Sequence, residues 1–244
     1  MTHATLDNSQ APVFEELGAK RDSTFVFKYF GLHALGAISR MILSAANASF
    51  TNEIPTDWAA EKSQAPFGVI PILTETSSDG SKKIQIAESD AIERYLAKKF
   101  GFAGDNVFEE VMVDTYSSNT KALMMQFSAK VFGVKDPELK KEGKAKLIAE
   151  NIPTWIQYHE RYLTQEGANG HYVGNKLTLA DIKTVLAINM VQGISGEDLI
   201  SQEKTPALWK VKSTYDSIPS VVAVMATEEY KSLSDRNLSI LGYC

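Results

Sequence analysis

The stretch 66–73, with the sequence Pro-Phe-Gly-Val-Ile-Pro-Ile-Leu, most constrains how this chain can fold. A proline and a glycine at its start mark a tight loop, and the β-forming residues that follow predict a strand. Pro71 cannot donate to a β-ladder, so it belongs at the entrance of that strand. A cis bond before Pro71 would turn the backbone of Ile70 outward, free to pair with an extended ligand. An ordinary strand-entry proline is the alternative interpretation.

The residues around this stretch predict a small α/β unit. Residues 24–30 form a nearly continuous apolar run, as expected for a strand buried on both faces, and apolar positions at helical spacing follow over 35–46. A turn cluster at 77–81 separates a strand that ends near residue 76 from an alternating strand at 84–86, which predicts an antiparallel hairpin. A helix then opens, so the order is strand, helix, loop, strand, strand, helix.

Beyond a linker at 101–106, the pattern is helical only. One long helix is predicted over 108–132, and an N-cap at Asp136 starts a second helix that runs towards residue 163 with a break at Pro153. The predicted stripe of the long helix consists of Val111, Thr115, Ser118, Ala122 and Met125.

A capping box marks the next helix in this region. Thr178 can cap the helix start, and Asp181 can reach back to it. Two shorter helices are predicted at 205–217 and 220–229. The sequence therefore predicts an α/β domain followed by an all-α domain.

Composition limits the function classes. The 244 residues carry 30 acids and 25 bases, a formal net charge of −5, so a nucleic-acid partner is not expected. No apolar run reaches the length of a membrane span, and the polar start of the chain lacks a signal-peptide core. Cys244 is the single cysteine, so no internal disulfide can form, and the expected location is the reducing cytoplasm.

Tyr29 is the first candidate for chemistry, because it ends the first predicted strand, where βα units present ligand-facing residues. A phenol with a pKa near ~10 stays protonated at neutral pH and can donate a hydrogen bond. A core aromatic is the alternative. The four histidines are scattered without metal-ligand spacing, so no metal is expected; His33, after Tyr29, reads as a solvated loop residue or one that borders a site.

Four further residues suit the charged ends of a peptide-like ligand. Ser89 is a natural N-cap of the helix after the hairpin, and a helix N-terminus attracts a carboxylate. Glu88 beside it can take an ammonium group, so the two together suit the head of an α-amino acid. Lys62 can pair with a second carboxylate that Trp58 lines. A solvated helix cap, a surface lysine and a half-buried indole are the alternatives.

These motifs together resemble the cytosolic glutathione transferases, most closely the sigma class of their tyrosine-type branch. The similarity covers about residues 25–230. It rests on Lys28-Tyr29-Phe30 with Arg40 eleven residues later, on Trp58, Lys62, Pro66-Phe67-Gly68 and Pro71 in family spacing, on Glu88-Ser89-Asp90-Ala91-Ile92-Glu93-Arg94-Tyr95-Leu96-Ala97, and on Thr178-Leu179-Ala180-Asp181.

The resemblance implies a thioredoxin-like α/β domain at 24–101 and an all-helical C-terminal domain at 106–240, with 1–23 as an N-terminal extension. It implies a homodimer, glutathione as co-substrate, and a ligand cleft between the domains. Tyr29 would be catalytic, by hydrogen-bonding the sulfur of glutathione.

The remaining roles are likewise implied by the resemblance. Ile70 would pair its backbone with the cysteinyl unit beside cis-Pro71, and the other glutathione contacts are expected from Trp58, Lys62, Glu88 and Ser89. Leu32 and Leu35 would line a pocket for a hydrophobic electrophile.

Three departures from the family pattern stand out. Leu35 replaces an arginine that many relatives carry near the sulfur. Ala122 stands where the partner subunit of relatives supplies an acid, and Glu88 is expected to replace that acid. Val69 stands where glutamine or lysine is usual.

The expected function is conjugation of glutathione to hydrophobic electrophiles, as in detoxification. One alternative is a glutathione-dependent isomerase similar to prostaglandin D synthase. Another alternative is a non-enzymatic carrier of glutathione or hydrophobic ligands.

Overall fold

The computed structural model of the chain describes residues 8–196 and 199–241. A four-stranded mixed sheet forms the first half, in the order β2-β1-β3-β4. β1 is parallel to β2, and β3 is antiparallel to both β1 and β4. The strands are β1 (Thr24–Lys28), β2 (Ser49–Glu53), β3 (Ile72–Thr76) and β4 (Lys83–Ala87).

Eleven α-helices lie within the described ranges. Those of the first half are α1 (Ala11–Ala19), α2 (Ala37–Ala45), α3 (Trp58–Glu61) and α4 (Ser89–Phe100). The second half contains α5 (Val107–Phe127), α6 (Pro137–Lys146), α7 (Ile152–Gln165), α8 (Leu179–Ser195), α9 (Pro206–Asp216), α10 (Pro219–Met225) and α11 (Glu228–Leu241). None of these helices combines the length and apolar character that a bilayer crossing would require.

The chain forms two compact units. The first runs to Phe102 and also includes Ala223–Arg236, and the second contains Ala103–Val222. The predicted limits of the two domains and of the extension remain predictions.

The first strand differs from its prediction. β1 ends at Lys28, and only alternate side chains, Phe25 and Phe27, are buried, whereas Val26 and Lys28 are half-exposed. The expectation of a strand buried on both faces was therefore wrong. One face of β1 packs into the core of the unit, and the other carries a charged side chain at its end.

The sequence interpretation also missed β2 and α3, where it expected only a loop. β2 is an edge strand, and its polar Ser-Phe-Thr-Asn-Glu sequence has a single large apolar residue. α3 is one turn long and contains no buried residue. Neither element has the apolar periodicity that marks a strand or helix in a sequence. The predicted hairpin, in contrast, is confirmed as β3 and β4.

In the second unit, the predicted face of the long helix was wrong. Val111 and Met125, the large apolar members of that stripe, are exposed. The buried positions of α5 are Val113, Tyr116, Ser117, Thr120, Leu123 and Phe127. α5 is followed by a π turn at Ser128–Phe132. A stripe of apolar residues at helical spacing is therefore present on both sides of this helix, and only packing decides which side faces inward.

The other helix starts of this unit follow their local signals. Asp136 accepts hydrogen bonds from the N–H groups of Glu138 and Leu139, which confirms the predicted cap. A kink or break was predicted at Pro153; the helical backbone in fact continues through a second π turn, Leu147–Asn151, that joins α6 to α7 just before this proline. The helix expected at 220–229 is in fact α10 and the beginning of α11, and the length of α11 was not predicted.

The capping box of α8 is confirmed. The backbone N–H of Thr178 donates to the carboxylate of Asp181 at 2.7 Å. The same buried carboxylate accepts the backbone N–H of Tyr172 at 2.9 Å. Because α8 is the most buried helix of this unit and packs against α5 and α9, this carboxylate fixes the start of the central helix and the loop before it.

The N-terminal helix α1 is packed onto the first unit. Leu17 is fully buried, and the ring of Phe14 meets the ring of Tyr95 on α4 edge-on, with centroids 6.1 Å apart. The ammonium group of Lys99 on α4 donates to the carbonyls of Leu17 and Lys20 at the end of α1. A cation at a helix C-terminus is favoured by the exposed carbonyls and the helix dipole.

Lys99 has a third partner in the core. Its Nζ lies 2.9 Å from Oε1 of Glu75 on β3, and both side chains are almost completely buried. The hydroxyl of Tyr95 donates to the other oxygen of Glu75 at 2.6 Å. Lys99 on α4 thus contacts α1 through two hydrogen bonds and β3 through an ion pair, so one buried charge connects three elements of the unit.

We expect Lys99→Met to lower the free energy of unfolding by about 3–5 kcal/mol, because it leaves the Glu75 carboxylate buried without its cation. Adding Glu75→Gln should recover part of that loss, since the pair is then replaced by neutral groups. Urea unfolding followed by circular dichroism measures both effects. Lys20→Met, which removes an exposed ion pair with Glu16, is the control and should change stability little. A double variant as unstable as the single variant would contradict this account.

Candidate functional site

The pairing register brings the predicted site segments to one edge of the sheet. Lys28 on β1 pairs with Ile72 on β3, and Ile72 pairs with Ala87 on β4. Tyr29 follows the first of these residues, Pro71 precedes the second and Glu88 follows the third. Since β1 and β4 run in one direction and β3 in the other, all three segments leave the sheet at the same end. β2 ends at this edge too, because Glu53 pairs with Lys28.

Tyr29 lies directly after β1, and its backbone N–H continues the pairing by donating to the carbonyl of Glu53 at 3.1 Å. The side chain is only 5% exposed, and its ring contacts that of Phe30 with centroids 5.5 Å apart. Burial raises the pKa of Tyr29, while a backbone hydrogen bond from Leu35 and the charge of Arg40 act to lower it. The phenol therefore stays protonated at neutral pH and can act as a hydrogen-bond donor.

Arg40 on α2 holds the loop that follows Tyr29. Its buried guanidinium donates to the side-chain oxygen of Asn52 at 2.7 Å and to the carbonyl of Leu32 at 2.8 Å. The same group lies 5.8 Å from the centroid of the Tyr29 ring. Burial lowers the pKa of Arg40 to about 10, so the guanidinium remains charged at neutral pH. The sequence indicated this residue only as a family position and gave no sign of these partners.

Gly36, at the start of α2, leaves room for this packing. A Cβ atom there would lie 2.8 Å from a ring carbon of Tyr29 and 2.8 Å from Nη1 of Arg40. Both distances are shorter than any ordinary carbon contact. The absence of a side chain at Gly36 therefore allows the phenol and the guanidinium to pack against the same turn of backbone.

The Ile70–Pro71 peptide bond is cis, as the sequence suggested. Ladder pairing of β3 begins only at Ile72, and no hydrogen bond of the Ile70 backbone occurs within the described part of the chain. The preceding turn has left-handed backbone at Phe67 and Gly68, with φ angles of 55° and 64°. A glycine suits the second of these positions because it lacks a Cβ. Ile70 itself is 8% exposed, and its backbone N–H and C=O are the unpaired groups at the start of β3 within the described residues.

Trp58 and Lys62 lie at the two ends of the short helix α3. The carboxylate of Asp57 caps α3 by accepting the N–H of Ala60 at 3.2 Å. The indole of Trp58 meets the ring of Phe30 edge-on, with centroids 6.0 Å apart. The exposed side chain of Lys62 lies across the 66–68 turn, since a Cβ on Gly68 would be 3.5 Å from its Cε. The structure therefore places Lys62 beside the turn that leads to Ile70.

Ser89 is the first residue of α4, and Glu88 occupies the N-cap position, so the predicted N-cap role of Ser89 was wrong by one residue. Glu88 has φ 70° and ψ 120°, a conformation that is costly for a residue with a side chain. Its carbonyl accepts the N–H groups of Ala91 and Ile92, but its exposed carboxylate makes no capping bond. Strained backbone of this kind occurs often at ligand-binding positions.

Leu32 and Leu35 lie in the loop between β1 and α2. Leu35 is 61% exposed, and Leu32 is half-buried. Leu35 belongs to a 3-10 turn, Ala34–Gly36, rather than to the buried face of the following helix. An exposed leucine beside the backbone that contacts the phenol is available to a hydrophobic ligand.

His33 in the same loop is not a solvated residue, so that prediction was wrong. Its Nε2 lies 3.0 Å from the hydroxyl oxygen of Ser234 on α11, and its ring is 4.9 Å from the ring of Tyr230. Burial lowers the pKa of His33 to about 4, so the imidazole is neutral at physiological pH. The partners are some 200 residues away in sequence, and no local signal could have indicated them.

Chemically, this edge of the sheet offers a protonated phenol, an unused backbone N–H and C=O, a helix N-terminus beside a carboxylate, and an exposed ammonium group. Such a set can bind an extended zwitterionic molecule and stabilise a negative charge near the phenol. In residues 8–196 and 199–241, no three histidine, cysteine or acidic side chains come together in a way that could hold a metal ion.

Comparison with known proteins gives consistent similarities. A profile of the C-terminal domain of glutathione S-transferase matches residues 123–228. Glutathione S-transferase 3 of Caenorhabditis elegans is 32% identical over 174 residues, which are 69% of this chain and 80% of that protein. A sigma class glutathione S-transferase of Fasciola hepatica superposes with a TM-score of 0.71 at 23% identity, covering 84% of this chain and 95% of its own.

A second solved structure is a prostaglandin synthase D of Nilaparvata lugens. It is 26% identical, with a TM-score of 0.70, and covers 84% of this chain and 98% of its own. These similarities extend over most of the chain. They confirm the predicted fold class, a thioredoxin-like α/β part followed by an all-helical part.

The packing at Gly36 can be tested by Gly36→Ala, which should displace the Tyr29 ring or the Arg40 guanidinium. We expect a loss of about 1–3 kcal/mol in unfolding free energy, as for an overfilled core, and a changed near-ultraviolet tyrosine signal. Gly18→Ala is the matched control, because a Cβ on this glycine of α1 meets nothing within 4 Å. Alanine there should stabilise by about 0.5–1 kcal/mol. Equal behaviour of the two variants would contradict the close packing described above.

Proposed function

Because this chain belongs to the glutathione S-transferase family, we propose that it conjugates the thiolate of glutathione to hydrophobic electrophiles. The observation that carries the proposal is the common sheet edge, where Tyr29, the cis-Pro71 turn and the start of α4 meet in pairing register. The tripeptide would bind along this edge as an extended strand. Its electrophilic partner would contact Leu32 and Leu35.

The catalytic role falls to Tyr29. A free thiol with a pKa of ~8.5 is only a few per cent thiolate at neutral pH, and the thiolate is the nucleophile. A hydrogen bond to a charged acceptor is worth roughly 1.5–3 kcal/mol, which would lower the pKa of the bound thiol by about one to two units. The raised pKa of Tyr29 supports this role, because the phenol keeps the proton that it must donate.

The rest of glutathione would be held by the neighbouring segments. The backbone of Ile70 would pair with the backbone of the cysteinyl unit, so that this part of glutathione would lie beside it like an additional short strand. Ser89 and the N–H groups of α4 would bind the γ-glutamyl carboxylate, and Glu88 would bind its ammonium group. Trp58 and Lys62 would bind the glycine carboxylate.

We further propose that the chain is a cytoplasmic homodimer of the tyrosine-type, sigma-like branch. The exposed stripe of α5 supports a second copy as partner, because Val107, Phe108, Val111 and Met125 leave large apolar side chains in contact with water. The similarity to a sigma class structure supports the fold of that branch.

A glutathione-dependent isomerase is the second candidate. The similarity to a prostaglandin synthase D at 26% identity favours it, and the same thiolate would serve both reactions. Incubation with 1-chloro-2,4-dinitrobenzene tests conjugation, and incubation with a prostaglandin endoperoxide tests isomerisation. Glutathione is consumed in the first reaction and regenerated in the second. Binding of glutathione without either activity would favour a carrier, for which the missing cation at Leu35 is an argument.

We expect Tyr29→Phe to lower kcat/KM for conjugation about 10- to 100-fold at pH 7, because about one to two pKa units of thiolate stabilisation are lost. The apparent pKa in the pH–rate profile should rise by the same one to two units, so that the activity recovers at alkaline pH. Ultraviolet titration of bound glutathione thiolate gives an independent measurement. A thiol pKa that is the same in both proteins would refute the role of Tyr29.

The role of Glu88 is tested by Glu88→Gln, which keeps the size of the side chain and removes its charge. The dissociation constant of glutathione should rise about two- to fivefold, as for an exposed ion pair. A glutathione analogue without the α-amino group is the control ligand, since it has no ammonium to lose. Calorimetry that finds the same loss for both ligands would show that Glu88 does not bind the ammonium group.

A further inference from the structure

Burial contributes little to holding the short helix α3 in position. It is one turn long and none of its residues is buried, so the hydrophobic effect contributes little to its position. Its N-cap, Asp57, belongs to the same segment and cannot fix the helix to the sheet. Yet this helix carries Trp58 and precedes Lys62, the two residues proposed to bind the glycine carboxylate.

Lys28 is the polar contact that ties α3 to the sheet. Its Nζ lies 2.6 Å from the Glu61 carboxylate at the end of α3 and 2.8 Å from the Glu53 carboxylate at the end of β2. The Lys28 side chain is 24% exposed and that of Glu61 30% exposed. One ammonium group therefore bridges the last residues of three elements at the edge where the site lies.

Lys28 and Glu61 each stabilise the ionised form of the other. Hydrogen bonds from Lys28 lower the pKa of Glu61, and those to Glu53 and Glu61 raise the pKa of Lys28. Lys28 and Glu61 are thus ionised at neutral pH. α3 also contacts the residues after β1 through the edge-on packing of Trp58 against Phe30. Lys28 and Phe30 flank Tyr29 in sequence, so the residues on both sides of the proposed catalytic tyrosine hold the helix that carries Trp58.

We propose that Lys28 is a positioning residue for glutathione: by binding Glu61, it fixes α3 so that Trp58 and Lys62 meet the glycine carboxylate. This inference rests on the proposed function. It assigns Lys28 no contact with the reacting sulfur, and it predicts an effect on glutathione affinity rather than on the chemical step.

An electrostatic role makes a different prediction. If Lys28 acted only by neutralising nearby acids, Glu61→Gln would remove a negative charge close to a bound carboxylate and would strengthen glutathione binding. If Lys28 positions α3, Glu61→Gln breaks the same bridge as Lys28→Met and weakens binding. The direction of the Glu61→Gln effect therefore separates the two roles.

The first experiment measures glutathione binding by calorimetry and conjugation by steady-state kinetics. Lys28→Met and Glu61→Gln should each raise the dissociation constant and KM for glutathione about three- to fivefold, with kcat unchanged within about twofold. Lys28→Arg should behave as the unchanged protein, because arginine can make the same bridge. Lys212→Met is the matched control: it removes a comparably exposed pair with Asp216 at 2.7 Å, on α9. A fall in kcat alone, or tighter binding by Glu61→Gln, would overturn the proposal.

The second experiment replaces glutathione with its glycine monoethyl ester, which lacks the charge that α3 is proposed to receive. Lys28→Met should then have an effect of less than about twofold, because the ester gains little from a well-placed Lys62. An equal loss with acid and ester would show that Lys28 acts elsewhere. If the unchanged protein fails to bind glutathione, the proposed function itself is wrong; if it binds and the variants are equal to it, only the role of Lys28 is wrong.

Discussion

The pairing of Lys28 with Ile72 and of Ile72 with Ala87 is the constraint on which the candidate site depends. A slip of one residue in either ladder would turn buried side chains outward and would separate Tyr29 from Glu88. Register is specified here because one face of the sheet is packed in the core, with Phe27 and Leu73 paired across β1 and β3 and both fully buried. The site is therefore a consequence of core packing, although few of its polar groups lie in the core.

Two buried cations, Lys99 and Arg40, connect different elements of the first unit. Lys99 connects α1 with β3 through the Leu17 and Lys20 carbonyls and the Glu75 carboxylate, and β3 begins directly after Pro71. Arg40 connects α2 with the loop after Tyr29 and with Asn52 on β2. Neither cation can be moved into water without leaving an unpaired buried group, which makes both connections stiff. The extra N-terminal helix thus contributes to the same unit as the site.

The sequence was informative where the structure follows from neighbouring residues. The cis bond before Pro71, the hairpin turn and the Asp181 cap each depend on chemistry within a few positions, and each was predicted. The sequence was uninformative where the partner is distant or the signal is polar. β2 is an edge strand with little apolar pattern, and the inward side of α5 depends on what packs against it. His33 is half-buried and contacts Ser234 and Tyr230, which are distant in the sequence.

The family resemblance predicts an arginine where this chain has Leu35, so a bound thiolate would depend on Tyr29 and its neighbours. Burial raises the pKa of Tyr29 and keeps the phenol protonated, while the backbone hydrogen bond from Leu35 and the charge of Arg40 act in the opposite direction. The guanidinium lies 5.8 Å from the Tyr29 ring centroid and donates to the Leu32 carbonyl, which holds it beside the phenol. The positive charge would therefore act on glutathione through the phenol. In that arrangement the exposed Leu35 would contact the proposed hydrophobic substrate, and one loop would serve both reactants.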